Sequence, residues 1–151
     1  MKFTSTAVAA IFATGALAAP TPAPEVKSAM ANVPQWTIEG MKRGCDAGNT
    51  QCTWSFAINT HLEPATPCTF VVKAAGGKPA SHTDSTGNIC GKYTVSSGWS
   101  DYFGADNGFT TLSVVDYAAK LIVWPAYTDK QLDAGGVVTP DLSYAPSTLN
   151  F

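Results

Sequence analysis

The chain predicts an all-β fold, an antiparallel β-barrel or sandwich with two disulfides. Three observations carry that expectation. Residues 52–59 alternate large apolar side chains (Trp54, Phe56, Ile58) with small or polar ones (Thr53, Ser55, Ala57, Asn59), the period of two of a half-buried strand. Short stretches of this kind recur along the chain, separated by Gly-, Asp-, Asn- and Pro-rich turns. Four cysteines in a chain of 151 residues are enough for two staples. No run shows a convincing helical period, and the period does not distinguish a barrel from a sandwich.

The first 18 residues read as an export signal: Lys2 is the basic end, residues 6–17 are apolar or small, and Ala16-Leu17-Ala18 is a cleavage site. The apolar run is well short of the roughly 20 residues a membrane span needs, so the expected location is secreted and extracellular. Residues 19–34 are Pro-rich and read as a flexible leader. Residues 35–151 are expected to form a single β domain.

Within it, residues 35–41 alternate Trp36 and Ile38 against Thr37 and Glu39, a first strand. Cys45 and Cys52 bracket a turn containing Asp46, Gly48 and Asn49, and the second strand follows. A third strand covers residues 68–74 and stops at Gly76-Gly77. Residues 78–88 are polar and aperiodic, a loop long enough to carry function. A fourth strand is expected over 89–97. A second long loop follows at 98–108, closed by Asp106-Asn107-Gly108. Further strands are expected over 109–117, 120–127 (with Pro125 at an edge or end) and 137–144. The expected core is Trp36, Trp54, Phe56, Phe70, Leu112, Val114, Leu121 and Val123.

An exported domain favours disulfides over a zinc site. Cys45–Cys52 across a short turn and Cys68–Cys90 across the polar loop are the preferred pairs. The two alternatives that link Cys45 to Cys68 or to Cys90 stay open.

Charge excludes some functions. The net charge is −2 and becomes more negative once Lys2 is removed, which argues against nucleic acid and against an anionic membrane surface. Arg43 is the one arginine. Candidate catalytic groups are sparse. Ser81-His82-Thr83-Asp84 places triad residue types in sequence, but triads converge from separate elements, so His82, like His61, is expected to be a solvated loop histidine. Asp116, within an apolar strand, is read as a cross-strand partner of Lys120 or, with His82 or Glu39, as the acid of a small hydrolase. Asp101, Asp106 and Asn107 do not follow the calcium-loop rhythm. No catalytic residue, metal or cofactor is expected. The candidate binding residues are Trp99, Asp101, Tyr102 and Phe103: aromatics in a Gly- and Asp-punctuated loop can meet a protein or a sugar, unless Trp99 and Phe103 fold inward.

Taken in order, WTIEGMKRGCDAGNTQCTWSFAI, TPCTFVV, NICGKYTVSSGWS, GFTTLSVVD, IVWPAYTDK and VVTPDLSY resemble the small secreted hypersensitive response-inducing proteins of filamentous fungi. The resemblance runs from about Trp36 to Tyr144. It implies a cysteine-stapled, non-enzymatic β-barrel elicitor that plant cells perceive, with cell death and defence responses as the outcome. It implies a plant cell-surface protein or wall component as partner, and no membrane insertion. Receptor and oligomeric state do not follow from it. A carbohydrate-binding module built on the loop aromatics is the alternative.

Overall fold

The computed structural model describes residues 31–151. The expected export signal and the leader as far as residue 30 lie outside the described residues. Two antiparallel sheets pack face to face. One has the order β3-β2-β1-β9, made of β1 (Trp36–Cys45), β2 (Gln51–Asn59), β3 (Thr66–Lys73) and β9 (Leu142–Tyr144). The other has the order β10-β7-β6-β5-β4, made of β4 (Ser85–Cys90), β5 (Tyr93–Ser100), β6 (Phe109–Asp116), β7 (Leu121–Val123) and β10 (Ser147–Thr148), with β8 (Ala126–Thr128) also paired to β6. The sheets do not close on each other through a hydrogen-bonded ladder. The fold is therefore a sandwich and not the barrel that the resemblance implied.

The alternation predicted for β2 is the one seen: Cys52, Trp54, Phe56 and Ile58 are buried. Trp54 stacks on Phe70 across the β2–β3 pair, at 5.9 Å between ring centroids. The other sheet contributes Tyr93, Val95, Leu112, Val114 and Val123 to the same core. Of the expected core residues only Leu121 is partly buried, packed on the core's margin.

Both disulfides are the preferred pairs. Cys45–Cys52 joins two residues already paired in the β1–β2 ladder. Cys68–Cys90 joins β3 to β4, the facing edge strands of the two sheets, so it clamps one side of the sandwich. On the other side the chain passes from β9 into β10 within a few residues.

Several elements differ from expectation for local reasons. β1 continues to Cys45 through a bulge, where Gly40 and Met41 oppose the single residue Phe56. Gly40 has φ +61°, the left-handed conformation of a glycine bulge. The extra residue reverses the parity of the strand. Trp36 and Ile38 face the core before it, Met41 and Arg43 after it. The strand expected over 89–97 is a hairpin instead. Gly91, at φ +59°, and Lys92 turn the chain between the paired residues Cys90 and Tyr93. The strand expected over 120–127 is interrupted at Trp124-Pro125, and the Pro125 carbonyl still accepts from Leu112 N–H at 2.7 Å. The strand expected over 137–144 is confined to β9.

A helix was not expected, yet α1 spans Asp129–Leu132. Its signal is Thr128-Asp129-Lys130-Gln131: the Thr128 hydroxyl accepts from Gln131 N–H, and the Gln131 side chain accepts from Thr128 N–H. This is a capping box, too short to create a period. No helix among the described residues is long and apolar enough to cross a membrane.

Candidate functional site

The two expected long loops are shorter than their sequence suggests, because β4 takes residues 85–88 and β5 takes 98–100; what remains of them lies at one end of the sandwich, where the β1–β2 turn holds residues 80–82. At the β1–β2 turn the Asp46 carboxylate accepts from the Thr50 hydroxyl and from the N–H groups of Thr50 and Gln51, which together hold its pKa below the ordinary carboxylate range. This leaves Asn49, at φ +50°, projecting towards residues 80–82. Asn49 Nδ2 donates to Ser81 Oγ at 2.7 Å. Asn49 Oδ1 accepts from Ser81 N–H at 2.9 Å, and the Asn49 carbonyl accepts from Ala80 N–H at 2.8 Å. Ala80–His82 is thereby fixed as a short 3-10 turn.

Arg43, turned inward by the bulge, sits beneath that turn. It is 3% exposed. One terminal nitrogen donates to the Ser81 carbonyl at 3.1 Å; the other reaches Asp133 Oδ1 at 2.5 Å and Asp129 Oδ1 at 3.6 Å. The guanidinium carbon lies 5.5 Å from the Trp54 ring centroid. One buried cation thus binds β1, the 3-10 turn and α1 together. A buried arginine needs such partners because its charge cannot be lost by deprotonation.

The next link is aromatic. His82 stacks on Trp99 at 3.8 Å between centroids and 12° between planes. Trp99 Nε1 donates to Asp129 Oδ2 at 2.8 Å, and Trp99 N–H donates to Asp84 Oδ1 at 3.0 Å. Gly108 closes this corner. A Cβ there would fall well inside contact distance of Asp129 Oδ2 and 3.1 Å from the Trp99 ring. The Gly108→Ala variant is therefore expected to lose about 1–3 kcal/mol of stability and to shift Trp99 fluorescence. Chemical denaturation with fluorescence detection checks both, and a variant that unfolds like the parent would show that this corner is loosely packed.

The candidate binding residues divide. Trp99 is half-buried with its indole N–H engaged, so it is a support for the loop and not a free platform. Asp101 is exposed. Tyr102 and Phe103 are 83% and 67% exposed. Their rings meet edge to face at 5.1 Å, and Phe103 leans on Phe109 at 5.7 Å. Large aromatics held out of the core on a braced loop are what interface hot spots are made of.

The groups considered for catalysis are employed otherwise. Ser81 Oγ accepts from Asn49, and Asp84 accepts from Trp99, so the Ser81-His82-Asp84 neighbours form no relay. His82 is part-solvated, with 36% of its side chain exposed, but it is not free: beyond the stack on Trp99, its Nε2 lies 3.8 Å from Asp129 Oδ2. His61 Nε2 meets the Thr37 hydroxyl at 2.8 Å, and Glu39 Oε1 accepts from Asn59. Asp116 pairs with Lys92 at 3.2 Å, not with Lys120. Lys120, at φ +53° in the β6–β7 turn, lies over the Phe151 ring. The Asp116 position is six residues along β6 from Thr110, the partner of Trp99. At about 3.3 Å per residue, that puts Asp116 about 20 Å from the end that holds His82. Among the described residues, no three His, Cys, Asp or Glu side chains are placed to hold a metal ion.

Arg43, Asp129 and Asp133 were missing from the sequence-derived site. Their separation along the chain hides the cluster, and only the capping box at Thr128 marked where α1 begins. A family model described as Effector TSP1 matches residues 37–149. A curated relative from Hypocrea virens (strain Gv29-8 / FGSC 10586), named Effector TSP1, is 56% identical over 150 residues, which covers 99% of this chain and 99% of the relative.

Proposed function

The chain belongs to the Effector TSP1 family, and from that premise we propose that it is a secreted fungal elicitor that plant cells perceive at their surface, triggering hypersensitive cell death and defence without catalysing a reaction. The observation that carries this reading is the exposed Tyr102–Phe103 pair on a loop braced by Trp99, His82, Asp129 and Arg43. Bracing matters because a contact loop that is already ordered loses less conformational entropy on binding. The two disulfides suit a protein that must keep its shape outside the cell. The export signal read in residues 1–18 supplies the route.

A plant cell-surface protein fits this patch better than a wall polysaccharide. The sugar reading needed Trp99 as an open face, and Trp99 is stacked on His82. The remaining rings stand at 85° to each other and do not form a flat platform. A hydrolase reading has less support, since Asp116 and His82 lie at opposite ends of the sandwich.

Infiltration of purified protein into leaves at micromolar dose tests the proposal. The expected result is an oxidative burst followed by necrosis. A Tyr102→Ser, Phe103→Ser double variant with an unchanged melting temperature is expected to need about tenfold more protein for the same response. No response to the parent protein sinks the elicitor reading. Equal potency of the double variant sinks the assignment of the loop.

A further inference from the structure

A second site lies at the end of the sandwich away from the aromatic loop. A cavity of about 250 Å³ opens between the start of β1, the β2–β3 loop and the β4–β5 turn. Trp36, Leu62 and Leu121 form apolar walls. Lys92 stands in it between two carboxylates, 2.5 Å from Glu63 Oε1 and 3.2 Å from Asp116 Oδ2. Asp116 is 3% exposed. Its other oxygen accepts from Ala119 N–H at 2.9 Å, which fixes the carboxylate in place. Tyr93 donates its hydroxyl to Glu63 from below. The hydrogen bond from Lys92 holds the Glu63 carboxyl below its ordinary range, and Glu63 in turn holds the Lys92 ammonium above its own.

Two features of this cluster are unexplained by the fold. Two carboxylates oppose one ammonium, so it carries a formal net charge of −1, and Lys92, Tyr93 and Ala119 N–H engage both Asp116 oxygens and Glu63 Oε1 but leave Glu63 Oε2 without a partner among the described residues. Thr60, which lines the cavity, is 5% exposed, and its Oγ1 has no hydrogen-bond partner among the described residues. An unpaired buried hydroxyl costs stability that a bound partner would recover. Apolar walls with a few convergent polar groups are the general form of a small-molecule site.

We propose that this cavity binds a small apolar molecule bearing an ammonium group, with its hydrocarbon body against Trp36, Leu62 and Leu121 and its ammonium beside Asp116 and Glu63. An anion of the same shape would meet the surplus negative charge. A neutral analogue would leave that charge unbalanced. The Thr60 oxygen is closed off as the side chain stands, and a rotation about its Cα–Cβ bond would bring it to the ammonium as a neutral acceptor.

The test is an amide-shift titration of the isotope-labelled exported protein with phenethylamine, 2-phenylethanol and 3-phenylpropionate. Phenethylamine is expected to shift the signals of Thr60, Leu62, Lys92 and Ala119 saturably, with a dissociation constant of about 1 mM or tighter. The alcohol and the carboxylate are expected to bind about tenfold more weakly. Glu63→Gln, at the half-exposed rim, removes one charge, keeps an oxygen that accepts from the core residue Tyr93, and is expected to weaken phenethylamine about fivefold. Thr60→Val, which keeps the shape, is expected to weaken it as well. The proposal is overturned if phenethylamine causes no saturable shift at these residues, if the three analogues bind alike, or if Glu63→Gln leaves amine affinity unchanged. None of these results depends on how leaves respond to the protein.

Discussion

Replacing Cys68 and Cys90 together by alanine is expected to lower the stability of the domain by about 3 kcal/mol and its melting temperature by roughly 10–15 °C. The bridge closes a separation of 22 residues, so in the chain-entropy model it removes much freedom from the unfolded state. Its position adds to this. It is the covalent link between the facing edges of the two sheets, where no backbone ladder holds β3 to β4. Cys68 and Cys90 are 1% and 4% exposed, and alanine avoids burying a hydroxyl in their place. The Cys45→Ala, Cys52→Ala pair is expected to lose less, because its shorter loop is already held by the β1–β2 ladder and by Asp46. Differential scanning calorimetry of the two double variants checks the order. If the Cys45/Cys52 variant melts at or below the Cys68/Cys90 variant, the bridge between the sheets is not the principal clamp.

Arg43→Met is expected to cost about 1–3 kcal/mol, the scale for leaving a buried carbonyl without its donor, because water screens the ion pair with Asp133, whose side chain is 64% exposed. Methionine fills much of the space but leaves three losses. The Ser81 carbonyl loses its buried donor, Asp129 loses its counter-ion, and the Trp54 face loses its cation. Arg43→Lys is expected to recover only part of the loss. A single ammonium cannot reproduce the fork that reaches Ser81 on one side and Asp133 on the other. Hydrogen exchange gives the sharper reading. Amides in residues 80–84 and 129–133 should exchange faster in Arg43→Met, while those in the middle of β2 should not. Uniform loss of protection across both sheets would show Arg43 to be a general core residue and not the tie between the loops. Elicitor potency, if it resides in Tyr102 and Phe103, should fall in the same variant because the loop's support through Asp129 and Trp99 is loosened.

The expectations that held came from patterns a strand writes into its own few residues. The burial of Cys52, Trp54, Phe56 and Ile58 could be read from alternation alone, because successive side chains in a strand point to opposite faces. The same is true of Leu112 and Val114 in β6. The cysteine pairs were preferred on loop length and compartment, and the structure has those pairs. What was misread turned on single residues with special backbone roles. Gly91 converts one expected strand into a hairpin, and Gly40 inserts a bulge. Neither can be distinguished from an ordinary strand glycine by period. α1 was legible only through its capping box, since four residues cannot establish a helical period.

The sequence by itself determined the class of the fold, the staples and most of the core, because alternation, turn chemistry and cysteine spacing are local properties. Only the tertiary structure decided between barrel and sandwich, since that depends on which edge strands pair, and β3 and β4 are joined by a disulfide instead of a ladder. It also decided which side chains meet. Arg43 reaches Asp133 across 90 residues because a bulge reversed the parity of β1, and Lys92 reaches Glu63 and Asp116 because a hairpin turn carries it over the sheet end. The physical reason is common to both cases. The strength of an ion pair depends on distance and burial in space, and strand pairing between residues far apart in the chain sets both.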